Sequence, residues 1–143
     1  MVITRATRHD KDDIRELLAT RDWDKDTDLD EGTAFIAREG RVIGCVRLVE
    51  VEPQTVVVDS VLVLEERRGN GIGTQLMRAA MNSRGGKLFL CCHVERIPFY
   101  ERLGYNLLPG GFHDAPESVQ EYWRKVDDYP TEEGHEHFFM TMR

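Results

Sequence analysis

A chain of 143 residues, 41% hydrophobic and 31% charged, is the size of one domain and apolar enough to bury a core, which excludes a disordered chain. Its 26 acidic residues against 19 basic ones give a net charge of -7; phosphate neutralisation needs a basic face, so nucleic acid is disfavoured as a main partner. The start MVITRATRHD lacks the apolar run of a signal peptide, and no apolar stretch is long enough to span a bilayer.

Val2 to Thr7 alternates and predicts a first strand. His9 to Arg21 reads as a helix that Asp10 can cap, with Ile14, Leu17 and Leu18 as its apolar stripe. A polar, acidic connection follows, DWDKDTDLDEG. Strands around Thr33–Arg38 and Val42–Val51, joined at Glu39-Gly40, predict a hairpin. QTVVVDSVLVLEE is β-branched and nearly continuous in apolar residues, so a third long strand buried on both faces is expected. From Ile72 the period changes. Ile72, Leu76 and Ala80 recur four apart, with Met77 and Met81 beside them, on one face of a helix that Gly85-Gly86 stops. KLFLCCHV is the next strand, and IPFYERLG a short helix with Pro98 in its first turn and Gly104 as its stop. YNLL begins another strand. Pro109 to Gly134 is irregular apart from helical turns around Glu117–Lys125, and HEHFFMTM closes the chain as a strand. Without repeats or linkers, residues 1–143 are expected to form one domain of the α/β or α+β class with mixed strand directions.

ERRGNGIGTQLM, Glu66 to Met77, packs three glycines into five residues between a strand and a helix. The first amides of a helix lack internal partners and its dipole favours negative charge there, while glycines let backbone approach a phosphate closely. Arg67 and Arg68 add cationic donors and Thr74 a hydroxyl. A Walker loop would need Lys-Ser/Thr after Gly73, where Thr74-Gln75 stand. A dinucleotide fingerprint would need glycine at Thr74 or Leu76. Arg68-x-x-Gly71-x-Gly73 remains, against the competing reading of a plain glycine-rich corner.

VLVLEERRGNGIGTQLM resembles the acetyl-CoA motif of the GNAT superfamily of N-acetyltransferases, Arg/Gln-x-x-Gly-x-Gly/Ala. LFLCCHVERIPFYERLGY is similar to that family's next strand and helix, with its Phe-Tyr-x-x-x-Gly-Phe/Tyr ending. The order of the preceding elements matches as well. The resemblance spans Val2 to Leu108 and resumes in the last strand. It implies a central, mostly antiparallel sheet of six to seven strands, splayed at the cofactor site and flanked by helices. It further implies transfer of an acetyl group from acetyl-CoA, as co-substrate and without a metal, to a primary amine in a ternary complex.

By the same resemblance, Arg67, Arg68, Gly69, Asn70, Gly71, Ile72, Gly73 and Thr74 would hold the pyrophosphate of coenzyme A, the backbone amides from Arg68 to Thr74 foremost. Leu62, Val63 and Leu64 would pair with the pantetheine arm, an N–H near Leu62 or Val63 polarising the thioester carbonyl. Tyr100 would be the general acid that protonates the departing thiolate. The chain departs from the family pattern at His93 and Arg96, where asparagine and alanine are usual. His93 is then an arm contact, a base near the amine, or a plain strand-end histidine. The general base is unmarked; Asp59 is the first choice over Ser60, Glu50, Glu95 or a water relay.

Other features have bland readings. DKDTDLD alternates aspartates like an EF-hand, but the required glycine and glutamate positions hold Leu29 and Phe35, or Glu31 and Ala37. A solvated acidic loop is expected instead, with Trp23 lining an acceptor pocket or anchoring a lid. His135-x-His137 lacks a third metal ligand. Cys91 and Cys92 read as small core residues rather than acyl carriers. Three cysteines, two adjacent, make a poor disulfide framework, so a reducing cytoplasm is the expected setting. Tyr122, Trp123 and Tyr129 are apolar material for an acceptor pocket or a homodimer contact. The expected partner is a small-molecule or peptide amine, with no nucleic acid and no membrane. The rival readings are a non-catalytic acyl-CoA-binding module and an enzyme acting on protein N-termini or lysines.

Overall fold

Period-two and β-branched segments become strands and four-apart apolar residues become helices. The computed structural model describes residues 1–21, 24–126 and 137–142. Among them are seven strands: β1 (Val2–Arg5), β2 (Thr33–Glu39), β3 (Arg41–Glu52), β4 (Thr55–Val63), β5 (Lys87–Cys92), β6 (Asn106–Leu107) and β7 (Phe138–Met142). The helices are α1 (Lys11–Leu18), α2 (Ile72–Asn82), α3 (Ile97–Arg102) and α4 (Glu117–Lys125). The sheet runs β1-β2-β3-β4-β5-β7-β6 and is mostly antiparallel. No helix among the described residues is long and apolar enough to cross a membrane.

The chain divides into two compact units, and β4 contributes residues to both. The first comprises Met1–Val49 and Val58–Gly85. Here β1 pairs with β2, and β2 with β3 across a tight turn at Gly40, with a bulge between Ala37 and Arg38. Val42 to Val49 are buried without interruption, as covering of both sheet faces requires. Helix α2 buries Ile72, Leu76, Met77 and Ala80. It comes so close to β3 that a Cβ on Gly44 would stand 2.9 Å from the Leu76 side chain.

Three local expectations are corrected in this unit. Asp10 does not cap α1 with its side chain. Its carboxylate accepts from the Thr7 amide (2.8 Å) in a capping box that starts a preceding 3-10 turn, and from Arg38 (2.9 Å). Helix α2 ends at Asn82, before the glycines, because the Ser83 amide and hydroxyl both donate to the Ala80 carbonyl. Only the first half of β4 is buried on both faces. From Asp59 onward, alternate side chains are half-exposed, so one face of the strand's end stays reachable.

The second unit comprises Glu50–Val57 and Gly86–Arg143. Thr55–Val57 of β4 run parallel to Lys87–Phe89 of β5, and the parallel ladder ends there although β5 continues to Cys92. β7 lies antiparallel between β5 and β6. Trp123 of α4 is fully buried against Phe139 (ring centroids 4.7 Å apart) and Phe112 (6.0 Å). It is therefore core rather than pocket lining; Tyr129 lies outside the described residues. Cys92 is buried beside Met140, its thiol pushed up to about 12 by desolvation, which suits a core residue and not a nucleophile.

Candidate active site

Beyond Val63 the chain folds into a 3-10 turn, Glu65–Arg67, closed by the amides of Arg67 on Leu64 O (2.9 Å) and Arg68 on Glu65 O (3.2 Å). The amide of Arg68 is thus committed within the turn. Gly69 and Gly71 follow in the left-handed region, at φ +81° and +78°, and a Cβ on either would meet nothing within 4 Å. Glycine is needed there for the dihedral, and the uncovered backbone faces solvent. The Asn70 side chain donates to Arg67 O at 3.1 Å and pins the turn.

Gly71 is the N-cap of α2 and provides no side-chain cap. The first helical bond is Gln75 N–H to Gly71 O, 3.0 Å. The amides of Ile72, Gly73 and Thr74 therefore have no acceptor within the helix, and no acidic residue stands in the first turn. The arginines divide their roles. Arg67 pairs with Glu39 at 2.7 Å, and this hydrogen bond holds the Glu39 carboxyl below its ordinary range. Arg68 is exposed and anchored through Nε on Val63 O, 3.0 Å.

Backbone groups alternate sides along a strand. The Leu64 amide donates to Ile43 O of β3 at 2.9 Å, so Leu64 and Leu62 face β3. The Val61 and Val63 carbonyls accept instead from Arg21 (3.1 Å) and Arg68 (3.0 Å). The peptide groups of Val61 and Val63 thus face the other edge, Val63 N–H included. Leu62 and Leu64 point buried side chains into the core. Asp59 is half-buried; its Oδ1 accepts from the Ser60 amide (2.7 Å) and its Oδ2 lies 3.7 Å from Arg47 Nη1.

In the second unit, Tyr100 is buried on α3. Its carbonyl accepts from the Tyr105 amide and that of Glu101 from the Gly104 amide, 3.1 and 3.0 Å, a Schellman ending with Gly104 at φ +104°. The Tyr100 and Tyr105 rings pack edge to face, 5.9 Å apart. The Phe-Tyr-x-x-x-Gly-Tyr spacing is thereby explained: glycine for the left-handed exit, and a second aromatic closing on the first. His93 is partly exposed, stacked on His137 at 5.4 Å, with Nδ1 3.8 Å from Glu95. His135 and Trp23 lie outside the described residues.

A buried carboxylate escaped sequence reasoning. Asp24, expected in a solvated loop, is 4% exposed and paired with Arg21. Burial holds its carboxyl above the ordinary range despite that partner. Nothing in an alternating run of aspartates signals which one is buried.

A family model described as an acetyltransferase (GNAT) domain matches residues 30–107. No curated protein matches the chain by sequence. In fold it is similar to an IAA acetyltransferase from Bacillus cereus, at 22% identity and TM-score 0.71 over 99% of this chain and 97% of that one. It is similar to ElaA of Escherichia coli at 14% identity and TM-score 0.74, over 99% of each chain. It also matches N-acetylglutamate synthase from Neisseria gonorrhoeae, complexed with coenzyme A and N-acetyl-glutamate, at 15% identity and TM-score 0.74 over 99% of this chain and 34% of that one. The family model covers more than half of the 143 residues, and its strand–turn–helix is the one built above: the protein belongs to the GNAT acetyltransferase family.

Proposed function

We propose that the protein transfers the acetyl group of acetyl-CoA to the primary amine of a small molecule, by direct attack within a ternary complex. The observation that carries this reading is the start of α2, where three amides without helical acceptors follow two left-handed glycines and no carboxylate stands in the first turn. Such a start suits an anion with several oxygens, and the residues present therefore fit a pyrophosphate. Charge-assisted hydrogen bonds contribute about 1.5–3 kcal/mol each. Three or four of them approach the roughly 8 kcal/mol of micromolar affinity. The amides of Gly69 to Thr74, with the side chains of Arg67 and Arg68, are assigned to that group, and the edge of Leu62–Leu64 to the pantetheine arm.

Coenzyme A supplies the acetyl group as a thioester. Val63 N–H, on the edge facing away from β3, donates to the carbonyl oxygen as negative charge gathers there. Tyr100 gives a proton to the departing sulfur; this assignment rests on the motif that holds it. Asp59 takes the proton of the amine, and His93 contacts the arm where the family has asparagine. A small acceptor draws support from the gonococcal synthase, crystallised with N-acetyl-glutamate. A reducing cytoplasm is the assigned setting, in keeping with three cysteines outside any disulfide. The test is thiol release from acetyl-CoA against a panel of amines, amino acids and peptides. Release dependent on a small amine is expected. Coenzyme A binding without acceptor-dependent release overturns the enzymatic reading, and release with peptides alone replaces the small acceptor by a protein.

A further inference from the structure

Ser60 is a β-strand residue in the left-handed region, at φ +54°, and only 4% exposed. That conformation is disfavoured for an L-residue, and serine lacks the tolerance of glycine or asparagine for it. Strain of this kind persists only where the surroundings over-determine it. Here they do. The Ser60 amide donates to Asp59 Oδ1 (2.7 Å), its hydroxyl accepts from Arg47 Nη1 (3.2 Å), and its carbonyl accepts from Cys45 Sγ (3.3 Å). One residue on, Val61 O accepts from Arg21, which is itself paired with the buried Asp24.

Arg47 is the centre of this arrangement. It is 2% exposed, and besides Ser60 its guanidinium donates through Nη2 to Asp28 O (3.1 Å) and Glu31 O (2.9 Å). Asp59 at 3.7 Å balances its charge. One fork thus ties the connection before β2 to the kink in β4. A lysine could not span these acceptors, because an ammonium is a point donor on a flexible stem. The kink comes where the burial of β4 changes from continuous to alternating, and directly before the peptide groups of Val61 and Val63 that face the open edge.

We propose that Arg47 is a positioning residue for acetyl transfer: by holding Ser60 left-handed it sets the direction of the Val61–Val63 peptide groups. This rests on the assignment of Val63 N–H to the acetyl carbonyl made above. Misplacing a catalytic donor by about 1 Å costs on the order of 100-fold in rate, so Arg47→Met is expected to lower kcat about 10- to 100-fold. Coenzyme A affinity should fall much less than kcat, because the turn at Gly69–Thr74 keeps its own hydrogen bonds and the displaced edge meets only the arm.

Ser60→Gly supplies the decisive cycle. Glycine adopts the kink without strain but lacks the hydroxyl that Arg47 holds. In the wild-type background it should leave kcat unchanged or lower it; in the Arg47→Met background it should raise kcat. Amide NMR shifts of the free protein give a readout independent of turnover. Arg47→Met should displace the Val61–Leu64 amides but not those of Ile72–Thr74, and Ser60→Gly should return the former toward wild type. Arg47→Lys should behave as Arg47→Met. If Arg47→Met does not fold, Ser60→Ala, which removes only the hydroxyl, should displace the same amides. Equal effects of Ser60→Gly in both backgrounds, unmoved Val61–Leu64 amides, or a loss of coenzyme A affinity as large as the loss of kcat overturns the proposal. Should no amine in the panel support turnover, the functional reading fails while the amide shifts still decide whether Arg47 sets the kink.

Discussion

Replacing Gly71 by alanine tests the cofactor turn at its most constrained point. The added Cβ would meet no atom within 4 Å, so no steric clash contributes and the whole cost is conformational. At φ +78° an L-residue is disfavoured by about 1–2 kcal/mol. For a protein of this size each kcal/mol corresponds to roughly 2–4 °C in melting temperature. Gly71→Ala is therefore expected to melt a few degrees lower if the turn keeps its shape. If the turn relaxes instead, one amide of the cradle turns away, and a charge-assisted bond of about 1.5–3 kcal/mol is lost. At 1.4 kcal/mol per tenfold, coenzyme A affinity should then fall roughly 10- to 100-fold. Gly40→Ala is the control, since Gly40 has a nearly equal φ of +76° and an equally open Cβ direction, but sits in the β2–β3 hairpin. It should show the melting shift without the affinity loss. Calorimetric titration with coenzyme A and thermal melting of both variants decide the matter. Wild-type affinity in Gly71→Ala with melting not lowered, so that the turn has relaxed at no cost to binding, would refute the cradle.

Tyr100→Phe should lower turnover by about 10²- to 10⁴-fold, as for a lost general acid, with coenzyme A affinity unchanged; wild-type turnover would remove Tyr100 from the chemistry. Tyr105 is buried and its hydroxyl has no hydrogen-bond partner among the described residues. Leaving such a group unpaired costs about 1–3 kcal/mol, so Tyr105→Phe should raise the melting temperature, and a lowered one contradicts the account. Asp24 has a folded-state pKa raised above 3.8, chiefly by burial, so the native state binds this proton more tightly than the unfolded chain. Its contribution to stability falls as pH rises from 3.8 through the folded value. Relative to wild type, Asp24→Asn should gain stability over that window in denaturant titrations, and a relative loss there rejects the sign.

Much of the fold was legible because it follows from periodicity. Helix α4 spans Glu117–Lys125 as expected, and the hairpin strands differ by a residue at most positions. The glycine turn was legible for another reason. An uncapped helix start behind left-handed glycines is a local device, and local devices must be written in consecutive residues. Asp10 misled because the side chain that caps, Thr7, stands three residues earlier and starts a separate 3-10 turn, and both residue types cap helices. Asp24 and Ser60 were illegible in a deeper sense. Ser60 is held by Arg47, 13 positions before it, and Asp24 is set apart by burial; no pattern along the chain announces either.

The difference bears on where specificity is encoded. The turn from Gly69 to Thr74 presents backbone amides, so it needs particular dihedrals more than particular side chains, and a short motif suffices. The kink upstream of it is held by side chains of β3 and β4, Arg47 and Asp59, that meet at Ser60, while Arg21 from the connection after α1 holds the next carbonyl. A change that moves the Asp28 or Glu31 carbonyl reaches Ser60 through Arg47. Asp28 and Glu31 therefore bear on the reaction through the strand geometry that their carbonyls help to fix. Substitutions of Asp28 or Glu31 affect only their side chains, whereas Arg47 holds their carbonyls. Alanine at either position should leave the kink in place, and a proline that moves either carbonyl should not.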